Sequence, residues 1–188
     1  QIERLVVTSS GFAVVGIGHE SYWGSGDNLH FQLYNSDGTP LSDELYFDSE
    51  AHQQFSLAEL KNNNIVFAYS DVWGKFVAIN IYTQDGSTLL KEIEITGYVA
   101  KYPRLLATSD GGFLLSFLYS DKKFDPDYHY DQVIVRFDSL GNQVSESFRK
   151  VTDEYFEISD LAIDQDGGVI GVSGDELGLK SAVFLAQL

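Results

Sequence analysis

The chain has 188 residues, of which 44% are apolar and 14% are aromatic, and its 28 acidic and 12 basic residues give a formal net charge of −16. This apolar share is typical of a folded domain, whereas the acidic excess opposes binding to nucleic acids and to anionic membrane surfaces. The absence of cysteine excludes disulfides, catalytic thiols and thiolate zinc sites, and no apolar run reaches the ~20 residues of a membrane-spanning helix.

Four segments along the chain share a polar turn, an apolar strand and an acidic residue where the strand stops. They are TSSGFAVVGIGHE (8–20), LKNNNIVFAYSD (60–71), TSDGGFLLSFLYSD (108–121) and DQDGGVIGVSGDE (164–176). Their equivalent residues are Phe12, Ile65, Phe113 and Val169, which are 53, 48 and 56 positions apart. Because a strand that is apolar throughout needs cover on both faces, these segments predict buried strands.

A second element follows each of the first three segments. It consists of a strand and a hairpin-type turn, in LHFQLYNSDGT (29–39), FVAINIYTQDGS (76–87) and QVIVRFDSLGN (132–142). The equivalent glycines Gly38, Gly86 and Gly141 are 48 and 55 positions apart. Two independent landmarks therefore keep nearly the same period, which predicts an internal repeat.

Each repeat is predicted to contain four strands, which in the third repeat are 104–108, 112–120, 131–138 and 143–151. The second strand is apolar throughout, whereas the fourth alternates, as in LKEIEITG (90–97), and is expected to have one wetted face. Antiparallel four-stranded sheets repeated along a chain are typical of propeller blades. A β-sandwich, which also uses short strands at regular spacing, is the alternative. SLAEL (56–60) has the pattern of a helix-capping box, but it falls where the first strand of the second repeat is expected.

The predicted fold is therefore all-β: a small β-propeller, or a propeller segment, of about four four-stranded antiparallel blades. One repeat domain is expected over 1–188, with approximate repeats at 1–51, 52–100, 101–154 and 155–188. The last repeat lacks its outer strand. Three explanations stay open: the strand is absent, the chain is a piece of a longer propeller, or a partner supplies the strand.

The third repeat carries a family resemblance. LLATSDGGFLLSF followed by VIVRFDSLGNQV resembles the propeller-like repeats of large secreted bacterial proteins, including calcium-dependent adhesins, in which DGGF precedes one strand and D-x-x-G follows the next. The second repeat departs from the pattern, since NNN stands in place of DGG. The resemblance implies a binding role and an extracytoplasmic, secreted or cell-surface location, and it identifies no ligand.

The loops on the two ends of such blades differ in length and composition. One set is short and uniform, and the other is long, variable and aromatic, as in HESYWGSGDN (19–28) and TGYVAKYP (96–103). Variable loops on a uniform scaffold are where binding usually occurs. The predicted ligand-binding residues are Trp23, Trp73, Tyr22, Tyr98, Tyr102, Tyr128 and Tyr155. The alternative for both tryptophans, each of which precedes a glycine, is a packing role.

The loop DKKFDPDYHYD (121–131) supplies the candidate metal ligands Asp121, Asp125, Asp127 and Asp131. Hard oxygen ligands at close spacing suit Ca²⁺, although the EF-hand pattern is absent. A solvated acidic loop is the alternative.

No catalytic motif occurs in the sequence. There is no G-x-S-x-G elbow, no P-loop and no zinc-protease histidine spacing, and with 28 acidic residues a pair of carboxylates is uninformative. The sequence therefore predicts a non-enzymatic binding or adhesion module that holds a glycan or a peptide on one loop face, with assistance from calcium. The alternatives are a scaffold that binds other domains of a larger protein and, third, a fragment of a glycosidase or lyase.

Overall fold

The computed structural model describes residues 2–18, 28–47, 54–71, 74–120, 130–144, 148–152, 160–163, 168–174 and 181–186. Within these ranges every regular element is a β-strand, and no helix with the length and apolarity to cross a membrane occurs there. The strands are β1 (Ile2–Val7), β2 (Gly11–Gly18), β3 (Asn28–Asn35), β4 (Leu45–Phe47), β5 (Phe55–Glu59), β6 (Ile65–Ser70), β7 (Phe76–Tyr82), β8 (Leu89–Thr96), β9 (Val99–Ala107), β10 (Phe113–Ser120), β11 (Tyr130–Phe137), β12 (Phe148–Thr152), β13 (Asp160–Ile163), β14 (Val169–Gly174) and β15 (Ser181–Ala186).

The strands form four antiparallel sheets in chain order: β1–β4, β5–β8, β9–β12 and β13–β15, called here the first to fourth sheets. The predicted equivalents Phe12, Ile65, Phe113 and Val169 all lie on the second strand of their sheets. The prediction of an all-β fold built from antiparallel sheets is therefore confirmed. Within the described ranges, the four sheets do not close into a ring.

The second sheet is packed on both faces, which explains why β6 is apolar without a break. Val66 and Ala68 pack against Leu115 and other residues of the third sheet. Ile65 and Phe67, which point to the opposite face, join a cluster with residues of the first sheet. Because successive side chains of a strand point to opposite faces, a strand between two sheets must be apolar at every position.

The third sheet has the same arrangement. On β10, Phe113, Leu115 and Phe117 face the second sheet. Leu114 points to the other side, where it lines a cavity of 130 Å³ together with Val169 of the fourth sheet. The opening motif of this strand, DGGF, thus introduces a strand covered by its neighbours on both sides.

Most of the described short turns between strands share one backbone geometry. Five of them have a residue in the left-handed region, and in four of these turns the residue is glycine, at Gly38 (φ 85°), Gly86 (φ 70°), Gly111 (φ 99°) and Gly141 (φ 74°). In the turn between β5 and β6 the same role falls to Asn63 (φ 67°). Asparagine tolerates this conformation better than other side chains do, so NNN replaces DGG in the second repeat without changing the turn.

We expect Asn63→Ala to lower the free energy of unfolding by about 1 kcal/mol, because alanine pays the full steric cost of the left-handed conformation. Asn63→Gly is the control and should change stability by less than about 0.5 kcal/mol. Urea unfolding followed by circular dichroism measures both variants. Equal losses in the two would show that the side chain of Asn63, and not its φ, matters.

The first strand of the third repeat, predicted at 104–108, starts earlier in the structure. Residues 96–103 were expected to form a connector, but β9 begins at Val99 and continues through Tyr102 and Pro103. Proline lacks an N–H and is found in edge strands and bulges, and β9 is an edge strand. SLAEL, in contrast, lies in and just after strand β5 and forms no helix.

Candidate functional site

One end of the second and third sheets carries the loops that were predicted to bind a ligand. Here β5, β7, β9 and β11 begin and β6, β8 and β10 end, and we call this region the loop end. A backbone hydrogen bond joins the two sheets there, from Ala100 N–H on β9 to Gly74 O before β7 (2.5 Å). Of the predicted ligand-binding residues, the described part of the chain contains Tyr98 and Tyr102, and both lie at the loop end. The others lie outside the described residues: Trp23, Trp73, Tyr22, Tyr128 and Tyr155.

Strand β9 has a bulge at the loop end. Lys101 pairs with Leu118 and Arg104 pairs with Ser116, so two residues of β9, Tyr102 and Pro103, lie opposite a single residue of β10. Tyr102 has a φ of 59°, in the left-handed region. This conformation costs a residue other than glycine about 1–2 kcal/mol, and bulges of this kind are frequent beside functional sites.

Gln54 holds the bulge from the second sheet. Its side-chain oxygen Oε1 accepts hydrogen bonds from the Ser70 hydroxyl (2.7 Å) and from the Tyr102 backbone N–H (3.1 Å). A second bond of the same kind runs from the Leu105 N–H to the hydroxyl of the buried Ser56 (2.9 Å). Side chains at and next to β5 therefore satisfy backbone groups on the free edge of β9.

Lys101 lies among aromatic rings at this end. Its ammonium nitrogen is 5.1 Å from the centre of the Tyr102 ring and 6.0 Å from that of Tyr130, within the range of cation–π attraction. The aliphatic stem of Lys101 packs beside Gly74, where an added Cβ would lie 3.2 Å from the lysine Cδ. The lack of a side chain at Gly74 thus allows the chain before β7 to approach β9 closely.

Tyr98 adds an exposed ring to the same end. Its side chain is 53% exposed, while its backbone N–H donates to Ser120 O (2.9 Å) and so is held at the end of β10. We call Tyr98, Tyr102 and Tyr130 the tyrosine cluster. Tyrosine rings with a fixed backbone and a polar hydroxyl can stack on an apolar ligand face and form hydrogen bonds at its edge.

The described carboxylates of the loop end have different local roles. Asp71 Oδ1 accepts the N–H groups of Lys75 (2.5 Å) and Phe76 (3.4 Å), and so fixes the start of β7. Asp131 lies on β11, opposite Tyr119. Asp121, Asp125 and Asp127 lie outside the described residues, and no group of three possible metal ligands occurs among the residues that the structure describes. The calcium site stays a prediction.

A second cavity, of 520 Å³, lies at the opposite end, between the first and second sheets, and is lined by Ser10, Leu41, Thr83, Gln84, Asp85, Ser87 and Thr88. Its carboxylate serves its own turn: Asp85 Oδ1 accepts the hydroxyl of Thr83 (2.5 Å) and the N–H and hydroxyl of Ser87. These bonds, the Thr83 hydroxyl first, lower the pKa of Asp85. Because its carboxylate is already used by the turn, this cavity is a weaker candidate than the loop end.

The sequence matches no known family and no curated protein. Solved structures do resemble the fold. One is a bifunctional GH43-CE protein of Bacteroides eggerthii, with a TM-score of 0.50 and 12% identity over 96% of this chain and 23% of that one. Another is a GH43 β-1,3-galactosidase, with a TM-score of 0.51 and 10% identity over 96% of this chain and 44% of that one. The chain thus spans less than half the length of either protein.

These comparisons contradict the prediction of a non-enzymatic adhesion module. The proteins that share the arrangement of sheets are named as GH43 proteins, one of them a galactosidase, and are enzymes. The prediction failed because repeat periodicity reports the scaffold, and a scaffold does not determine the chemistry that its loops perform. The absence of a catalytic motif was equally uninformative, since a pair of carboxylates has no local sequence signature.

Sequence reasoning also missed two residues of the loop end, Gln54 and Lys101. Neither belongs to a recognisable motif, and each acquires its role by contact with a different sheet. The only signal was positional, because both lie in or beside segments identified as loops.

Proposed function

We propose that the four sheets are consecutive blades of a β-propeller that works as a glycoside hydrolase. The observation that carries this proposal is the alignment of 96% of the chain with two proteins named as GH43, one of which is a β-1,3-galactosidase. GH43 domains are five-bladed β-propellers. The order of the sheets along this chain, and the packing of each on the next, support the same architecture.

The outer face of the first sheet also supports a propeller. Leu5 and Val7 on β1 are 59% and 78% exposed, whereas Leu57, which occupies the place of Leu5 in the second sheet, is buried. Exposed apolar side chains on a sheet face are expected where another element normally covers them. In a closed propeller, a neighbouring blade would lie on this face.

The loop end is the proposed sugar site. The C–H face of a pyranose ring stacks on tyrosine, and the sugar hydroxyls need polar partners at the edge of the ring. The tyrosine cluster provides the stacking surface, and Tyr98 is its most accessible member. The phenol groups of the cluster and the Lys101 ammonium provide polar partners for the sugar hydroxyls.

Hydrolysis of a glycosidic bond requires two carboxylic groups, about 5–5.5 Å apart for retention or about 6.5–9.5 Å apart for inversion. Acidic residues at or near the loop ends of the strands are Glu20, Asp71, Asp121, Asp131 and Asp175. Asp131, on β11 opposite Tyr119, is the described member of this set that we would test first. The proposed catalytic pair comes from this group.

We expect Tyr98→Ala to weaken the binding of β-1,3-linked galacto-oligosaccharides about tenfold, or about 1.4 kcal/mol, because a stacking surface is lost. The melting temperature should be unchanged, since the ring is exposed. Tyr46→Ala is the matched control, because Tyr46 is 60% exposed and lies on the first sheet. Isothermal titration calorimetry measures both variants. Equal affinity in Tyr98→Ala and the unmodified chain would contradict a sugar site at Tyr98.

A further inference from the structure

The bulge of β9 creates a backbone group that the β-ladder does not serve. Because Tyr102 and Pro103 share one partner residue on β10, the regular exchange of hydrogen bonds between the strands is interrupted there. Pro103 has no N–H to donate, but Tyr102 has one. A backbone N–H that is removed from water without an acceptor is costly, so an acceptor from elsewhere is needed to keep the bulge in this form.

Gln54 provides that acceptor in a fixed orientation. Its Oε1 receives both the Ser70 hydroxyl (2.7 Å) and the Tyr102 N–H (3.1 Å). Ser70 is completely buried, so its hydroxyl keeps one position and directs the amide oxygen of Gln54 toward β9. The bond to Tyr102 is therefore preorganised by the second sheet.

The conformation of Tyr102 determines where its ring lies. With φ at 59°, the residue is in the left-handed region, which is sterically unfavourable for tyrosine. A return to the extended region would redirect the side chain, which now lies 5.1 Å from the Lys101 ammonium. The hydrogen bond that the Tyr102 N–H donates to Gln54 opposes this return.

We infer that Gln54 is a positioning residue for the tyrosine cluster: its side-chain oxygen holds Tyr102 in the strained conformation that presents the ring to a bound sugar. The mechanism of this inference is the hydrogen bond between Gln54 and Tyr102. Its expected effect on sugar affinity rests on the proposed function. Gln54 is not proposed to touch the sugar; it bonds the backbone N–H of Tyr102 and so fixes the position of the Tyr102 ring.

The test compares Gln54→Leu, which removes the acceptor, with Gln54→Glu, which keeps an oxygen able to accept both bonds. Amide hydrogen exchange at Tyr102, followed by NMR, should accelerate about tenfold in Gln54→Leu and stay near the unmodified rate in Gln54→Glu. The Kd for β-1,3-linked galactobiose should rise about tenfold in Gln54→Leu, with recovery in Gln54→Glu. Ser70→Ala removes the hydroxyl that orients the side-chain amide of Gln54 but keeps the acceptor oxygen. Amide exchange at Tyr102 should therefore accelerate less in this variant than in Gln54→Leu.

The two readouts separate the inference from the proposed function. Unchanged exchange at Tyr102 in Gln54→Leu would overturn the positioning role, whatever the affinity. A different outcome is also informative: exchange at Tyr102 is faster in Gln54→Leu, but the unmodified chain does not bind galactobiose. That result would support the positioning role and reject the proposed sugar site. If Gln54→Leu fails to fold, Ser70→Ala decides, because unchanged exchange in that variant contradicts an amide oriented by Ser70.

Discussion

Phe67→Ala is expected to lower the free energy of unfolding by about 3–5 kcal/mol, the range for a large aromatic side chain removed from a core. Phe67 is completely buried between the first and second sheets. Its ring centre lies 5.3 Å from that of Phe31 and 5.2 Å from that of Phe47, both of the first sheet. Alanine would leave a cavity where the two sheets are joined, so the loss combines apolar transfer with lost packing.

Urea unfolding monitored by circular dichroism measures this effect. Tyr46→Ala is the control, since Tyr46 is 60% exposed and its contacts with Glu44 and His30 lie at the surface, so its loss should cost no more than about 1 kcal/mol. The two variants remove rings from neighbouring regions of the fold, and only the buried one should matter. A loss below about 1 kcal/mol in Phe67→Ala would mean that the first and second sheets do not pack as described.

Gly112→Ala is expected to lower the free energy of unfolding by about 3 kcal/mol, the upper part of the range for an overpacked site. A Cβ at this position would lie 2.2 Å from the backbone oxygen of Phe137 and 3.3 Å from Cα of Asp138. Both atoms belong to the backbone where β11 ends, so no side chain can move aside. The second glycine of DGGF is therefore required by the close approach of two strands.

Gly38→Ala separates this effect from backbone strain. Gly38 has a φ of 85°, but an added Cβ would meet nothing within 4 Å, so its replacement carries only the left-handed penalty of about 1–2 kcal/mol. Urea midpoints of the two variants give the comparison. A loss in Gly112→Ala no larger than that in Gly38→Ala would contradict the contact with Phe137.

The sequence predicted those features that depend on local pattern. The apolar runs around Ile65 and Phe113 predicted strands covered on both faces. The reason is that successive side chains of a strand point to opposite faces, so a strand that is apolar at every position needs cover on both. The turn at Asn63 was placed despite the loss of DGG, because asparagine satisfies the same backbone requirement. These inferences need only the period of the chain and the chemistry of its turns.

The features that depend on contact between sheets were not predictable. Pro103 was predicted to end a connector. A proline is tolerated within β9 only because β9 has a bulge there and is an edge strand, and the sequence shows neither feature. Gln54 was not identified, since its partners Ser70 and Tyr102 are 16 and 48 positions away. The proposed hydrolase function had no signal in the sequence for a related reason: carboxylates contributed by different loops form no local pattern.

Chromatography of oligosaccharide products tests the proposed glycoside hydrolase most directly. The purified chain is incubated with neutral oligosaccharides, including β-1,3-linked galacto-oligosaccharides, and the released sugars are separated and quantified. We expect shorter sugars to accumulate with time, and Asp131→Asn and Tyr98→Ala to reduce their rate of release relative to the Tyr46→Ala control. Oligosaccharides that stay intact with the folded, unmodified chain, while still binding at the loop end, would contradict a hydrolase.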